Sequence, residues 1–176
     1  MDNEPTTAII KEAERITEDA LYSAKGHFEA ARDWERWHYW IGIPAAILAA
    51  ASGVSALKDS PILAAILAFL VAVLTALTTF LNPRERANQQ QAAGNAYKSL
   101  QNDARIFAEV ECAAPASTSL RETLSALNSR RNELNEKSPL IPRSAFERGR
   151  KGILAGEATY VADRKTESAA QRRDKC

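Results

Sequence analysis

Between Trp40 and Leu81 the chain carries only two charged residues, Lys58 and Asp59, and they stand side by side. Elsewhere charge is spread throughout. The pair divides the apolar stretch into 40–57 (18 residues) and 61–81 (21 residues). At about 1.5 Å rise per residue these would be helices about 27 and about 32 Å long, against a hydrocarbon core of roughly 30 Å. Ser60-Pro61 supplies an N-cap and a first-turn proline for the second helix. Asn82-Pro83 disfavours its simple continuation. A run of 21 residues with no polar face suits lipid better than water. A buried hairpin in a soluble bundle is the alternative. The run starts too far into the chain for a cleaved signal peptide.

The two runs are unequal. Residues 61–81 hold twelve Leu, Ile, Val or Phe. On an insertion scale these favour the bilayer by about 4 to 7 kcal/mol before polar corrections. Residues 40–57 hold six such residues and six alanines, with Gly42, Pro44, Ser52, Gly53 and Ser55 among them. This run is the weaker span and leans on its neighbour. Lys25, Arg32 and Arg36 precede the hairpin, Arg84, Arg86 and Lys98 follow it, and its turn has one lysine. The bias toward cytoplasmic Lys and Arg places both termini in the cytoplasm, with Trp37, Tyr39 and Trp40 as an aromatic belt.

Ala64, Ala68, Ala72 and Ala76 recur every four residues on the second run, and Ala45, Ala49 and Gly53 do so on the first. Small residues at this spacing let backbones approach in lipid. They are the candidate helix-packing positions, within the hairpin and between subunits of a homo-oligomer. Thr75, Thr78, Thr79 and Asn82 are candidate pore-lining residues. The competing reading is that threonine hydroxyls bond back to their own helix. Gly42, Pro44 and Pro83 mark breaks at the membrane boundary, where the chain bends or hinges; equally, the prolines only mark helix ends.

The flanks read as amphipathic helices. Over 6–38, Ile9, Ala13, Ile16, Ala20, Ala24, His27, Ala31, Trp34 and His38 keep a single face. Residues 84–114 form a second helix with a stripe of Ala93, Tyr97, Leu100, Ala104 and Phe107, closed by Ala113-Ala114-Pro115. Ser119 and Glu122 form a capping box that opens a helix over 119–137. After the Ser138–Pro142 break, Ser144 caps a short helix over 144–155. The polar tail, 164–176, is expected to be disordered. Residues 1–39 have five Lys or Arg against nine Asp or Glu, and 82–176 have seventeen against twelve. The first flank is therefore acidic (−4) and the second basic (+5), which predicts that they pack together beneath the hairpin. Surface ion pairs are weak, so the apolar stripes should supply most of the association.

The fold class that follows is an all-α membrane protein. A two-transmembrane hairpin is extended by cytoplasmic helices from both flanks, with no strands, as one domain over 1–163. A formal net charge of +1 gives no reason to expect nucleic-acid binding. His27, His38, Cys112 and Cys176 are too few and scattered for a metal site. The histidines read as a partly buried helix position and an interfacial anchor. No phosphate loop, HExxH, GxSxG or CxxC occurs. No catalytic, cofactor-binding or metal-ligating residue is expected, and the chain is not read as an enzyme.

Several strings in order around the hairpin carry a resemblance. They are His27-Phe28, WERWHYWIGIP at 34–44, Thr78-Thr79-Phe80-Leu81, AGNAYKSL at 93–100, SPLIP at 138–142 and GILAGE at 152–157. Across 22–163 the chain resembles SLATT-domain proteins, the two-transmembrane effectors associated with SMODS and SLOG proteins of bacterial conflict systems. The resemblance implies an inner-membrane antiphage effector that forms pores or disrupts the membrane. It also implies a nucleotide-linked trigger, made or sensed by a partner protein in trans, since there is no room for a fused sensor domain. The other reading is a membrane-anchored interaction module that conducts nothing.

Overall fold

The computed structural model describes residues 4–58, 60–113 and 118–160. Among them there are five α-helices, one 3-10 turn and no strand. Helix α1 (Glu4–Leu57) is 54 residues long, a rod of about 80 Å. The chain then turns and returns antiparallel as α2 (Pro61–Leu81) and α3 (Pro83–Glu109). A 3-10 turn (Glu111–Ala113) follows, then α4 (Thr118–Lys137) and α5 (Arg143–Leu154). From about Ile41 onward, α1 pairs with α2. The part before it packs against α3, α4 and α5.

This polar half has the core. Ala13, Ile16, Ala20 and Ala24 of α1 bury against Tyr97, Leu100, Ala104 and Phe107 of α3, with Cys112, Leu120 and Leu127 closing one end. These are the stripes read from the sequence. Alanine at three of these four α1 positions keeps the two long helices close. Each fully buried large side chain contributes about 1.5–3 kcal/mol, so Phe107, Ile16 and Leu100 anchor the bundle.

The charge complementarity also appears. Asp19 pairs with Arg131 of α4, and Glu29 and Asp33 both receive Arg148 of α5. In the opposite sense, Lys25 pairs with Glu157 beyond α5. All these pairs are partly solvated and add little individually.

Four boundaries differ from expectation. Gly42 and Pro44 do not separate two helices: Pro44 lies inside α1. Proline forfeits the bond from residue 44 to the carbonyl of Trp40, but its φ suits a helix and the flanking bonds carry the rod on. At Pro83 the break is real. Asn82 sits in the left-handed region (φ 40°, ψ 56°), ending α2 and starting α3; asparagine tolerates that conformation. Helix α3 ends at Glu109, before the alanine-proline signal, and residues 114–117 lie outside the described residues. Helix α5 starts from Pro142, whose carbonyl accepts from the Ala145 and Phe146 amides. Ser144 is thus within the first turn and is not the cap. Ser119 likewise lies inside α4. The tail expected after 163 falls outside the described residues.

Candidate functional site

Two regions stand out: a polar collar around residues 25–28 of α1, and the apolar hairpin above it.

In the collar, His27 is buried and its Nδ1 donates to Oε1 of Gln90 at 2.6 Å. The amide of Gln90 is oriented by its second bond, from Nε2 to the carbonyl of Leu140 at 3.1 Å. With Oε1 as acceptor, the neutral imidazole carries its proton on Nδ1. The ring stacks on Tyr97 with centroids 5.3 Å apart, and the Tyr97 hydroxyl donates to Asn135 of α4 at 2.8 Å. Burial pushes the His27 pKa below its ordinary value, partly offset by the Gln90 bond. Burial also raises the Tyr97 pKa. Two hydrogen-bonded links, His27–Gln90–Leu140 and Tyr97–Asn135, joined by the His27–Tyr97 ring stack, therefore tie α1, α3, α4 and the 138–142 linker.

Glycines set the spacing around it. A Cβ on Gly94 would meet the Phe28 ring at 2.7 Å, and one on Gly26 would meet Ile141 at 3.2 Å. One on Gly149 would lie 3.0 Å from the carbonyl carbon of Lys25. Thus His27-Phe28, 93–100, 138–142 and 152–157, far apart in sequence, converge on one turn of α1. Sequence reading did not place them together. Gly94 and Gly149, glycines within helical patterns, were the available signal.

The hairpin has no comparable core. No residue of α2 is buried. Its seam against α1 consists of the half-buried Ala64, Leu67, Val71, Leu74 and Thr78, facing Ile41, Pro44, Ala45, Leu48, Ser52 and Ser55. The Ser52 hydroxyl donates across the seam to the Ala64 carbonyl at 3.0 Å. This corrects the alanine register. A step of four residues turns about 40° past a full turn, so Ala68, Ala72 and Ala76 rotate off the seam begun by Ala64. All three are exposed, as are Ala49 and Gly53. Nothing lies within 4 Å of a Cβ built on Gly42 or Gly53. Only alternating steps of three and four stay on one face.

The residues following each seam position form a second face. On α1 they are Ala46, Ala49, Gly53 and Ala56; on α2 they are Ala65, Ala68, Ala72, Thr75 and Thr79, all exposed. In antiparallel helices, an equal positive rotation from the seam turns both stripes to the same side. The opposite side carries Trp40, Ile43, Ile47 and Val54 with Leu63, Ile66, Leu70, Val73 and Leu77, also exposed. The hairpin therefore has one small face and one large apolar face.

The candidate pore-lining threonines are internally bonded. Thr78 and Thr79 donate to the Thr75 carbonyl at 2.8 and 3.0 Å. Thr78 belongs to the seam, Thr75 and Thr79 to the small face, and Asn82 is exposed beyond them.

Where hairpin and bundle meet there are two cavities. One, about 310 Å³, lies between α1 and α3, with Arg32, Glu35, His38, Arg84, Asn88 and Gln91 in its walls. The other, about 540 Å³, opens on α1 beside Asp33, Arg36, Trp37, Trp40 and Ile41. Among the described residues no group of His, Cys, Asp and Glu could hold a metal ion.

By length and composition, two helices are apolar enough to cross a membrane. No protein-family model matches the chain, nor does any curated protein or solved structure.

Proposed function

We propose that this chain is an integral membrane effector of the SLATT kind, held in a bacterial inner membrane by its hairpin with both termini in the cytoplasm. The observation that carries this reading is the exposure of α2 on every side outside its seam. Ile62, Phe69 and Phe80 are 77%, 69% and 86% exposed. A helix of this composition has no stable place in water, and lipid satisfies it without further folding. The charged bundle below needs no such cover.

The two-faced hairpin supports self-association. Small residues permit close helix approach in lipid, where packing rather than water exclusion drives assembly. The small face is therefore the subunit contact, and the large face meets acyl chains. In this reading a homo-oligomer forms or opens a membrane lesion when a nucleotide-linked partner acts on the bundle. The non-conducting scaffold is favoured by one observation: the Thr78 and Thr79 hydroxyls are already bonded within their helix and require no water-filled path. No enzymatic role is proposed.

The test is induced expression with a potential-sensitive dye, together with cross-linking and sizing in detergent. The effector reading expects an oligomer and inducible depolarisation. An oligomer without depolarisation, in the presence of its cognate partner, supports the scaffold. A monomer removes the pore, because a single hairpin has no walls to enclose one.

A further inference from the structure

We infer that the cavity between α1 and α3 binds the phosphate of an anionic membrane lipid at the cytoplasmic edge of the bilayer. The inference rests on the reading that the hairpin spans the membrane. The cavity, at about 310 Å³, lies at the lower end of the range for small-molecule sites, roughly 300–1,000 Å³. Its walls present two guanidinium groups, Arg32 from α1 and Arg84 from α3. Arg84 stands just beyond Leu81, the last residue of α2, so its height is that of the headgroups. It also occupies the first turn of a 27-residue helix, the positive end of the helix dipole. Asn88 and Gln91 follow it on the same face of α3 and add amide donors.

The arginines differ in commitment. Arg32 is paired with Glu29 at 2.6 Å, but Glu29 also receives Arg148. Arg86, in contrast, is occupied elsewhere: its Nε donates to the Leu81 carbonyl and its guanidinium lies over Trp34. Arg84 is the guanidinium left facing the cavity at the membrane edge. Guanidinium binds phosphate with two parallel bonds. Glu35 is the one acid in the walls and opposes an anion.

On α1, Arg32 and Glu35 fall on the row that continues through Tyr39 and Gly42 to Ala46, Ala49 and Gly53. The cavity therefore lies at the foot of the small face. A lipid phosphate held there sits beside the proposed subunit contact.

The experiment uses the full chain in detergent, titrated with phosphatidylglycerol, phosphatidylcholine or inorganic phosphate while the thermal midpoint is followed. Phosphatidylglycerol should raise the midpoint and phosphatidylcholine should not. Each basic residue near an anionic lipid surface is worth about fivefold in affinity. The Arg32→Gln/Arg84→Gln variant should therefore bind about 25-fold more weakly, and Glu35→Gln more tightly. Arg121→Gln/Arg150→Gln, at two exposed arginines that do not line the cavity, should match the parent. Equal lipid binding by the parent and the Arg32/Arg84 variant overturns the site. An equal shift with inorganic phosphate at the same concentration overturns the lipid as its occupant. Carbonate extraction of membranes is run in parallel. A chain retained in the membrane but lacking the lipid response refutes this inference alone, whereas a chain released by carbonate refutes the spanning reading as well.

Discussion

Replacing Gly149 with alanine tests whether the bundle is clamped by backbone contact. The added Cβ would stand 3.0 Å from the Lys25 carbonyl carbon and 3.1 Å from the Gly26 nitrogen. Both are main-chain atoms of a long continuous helix, so α5 must retreat by a few tenths of an ångström. Gly152→Ala provides the reference. Its Cβ would come nearer to a neighbour, 2.5 Å from Glu157 Oε2, but that atom ends a flexible side chain. Moving it costs at most the Lys25–Glu157 pair, about 0–1 kcal/mol for a solvated contact. Both substitutions lie in α5 and share the helix-propensity gain of alanine over glycine, about 1 kcal/mol. Their difference isolates the clash, for which overpacking gives about 1–3 kcal/mol. Amide hydrogen exchange reads this directly as local opening. Amides of α5 should exchange about 5- to 150-fold faster in Gly149→Ala than in Gly152→Ala, from the same energy range. Equal exchange, or slower exchange in Gly149→Ala, would refute the clamp.

Three further outcomes follow from the collar and the hairpin. Gln90→Leu leaves the His27 Nδ1–H and the Leu140 carbonyl without their partner, and should lower bundle stability by about 1–3 kcal/mol in chemical denaturation. His27 has a folded pKa below its unfolded value near 6.5, so the unfolded chain binds the extra proton first. Bundle stability should be at its plateau above that value and fall as pH drops below it toward the folded pKa; His27→Leu should abolish that slope in a pH series of melting curves. Ala64→Leu should disturb the hairpin seam itself, whereas Ala68→Leu and Ala72→Leu should leave the hairpin intact and weaken cross-linking between copies. Leu70→Ala, on the large face, should leave cross-linking unchanged.

Periodicity made much of the fold legible. The stripe Ala13, Ile16, Ala20 and Ala24 and its counterpart Tyr97, Leu100, Ala104 and Phe107 were readable because a helix buries one face at steps of three and four. Ser60-Pro61 and Asn82-Pro83 marked real ends. Pro44 misled because a proline removes one bond without ending a helix, and whether the rod continues depends on the surrounding bonds and packing. The alanine row misled for a geometric reason: equal steps of four drift around the helix, so one set of alanines serves the seam at Ala64 and the exposed face at Ala68 and Ala72. The collar was legible only in part: His27 and Tyr97 lie on the two stripes and Gly94 and Gly149 signal close approach, but Gln90, Asn135 and Leu140 carry no pattern. His27, Gln90, Tyr97, Asn135 and Leu140 come from four separate segments, and the packing of α3, α4 and the 138–142 linker around one turn of α1 brings them together.

The central claim is that the hairpin crosses a membrane with its turn on the far side from the bundle. The most direct measurement is labelling of single cysteines by an impermeant maleimide, in a Cys112→Ala/Cys176→Ala background. Lys58→Cys, in the turn, should be labelled in intact spheroplasts. Glu122→Cys, in α4 of the bundle, should be labelled only after the membrane is opened. Labelling of Glu122→Cys in intact spheroplasts, or protection of Lys58→Cys until lysis, would contradict the account.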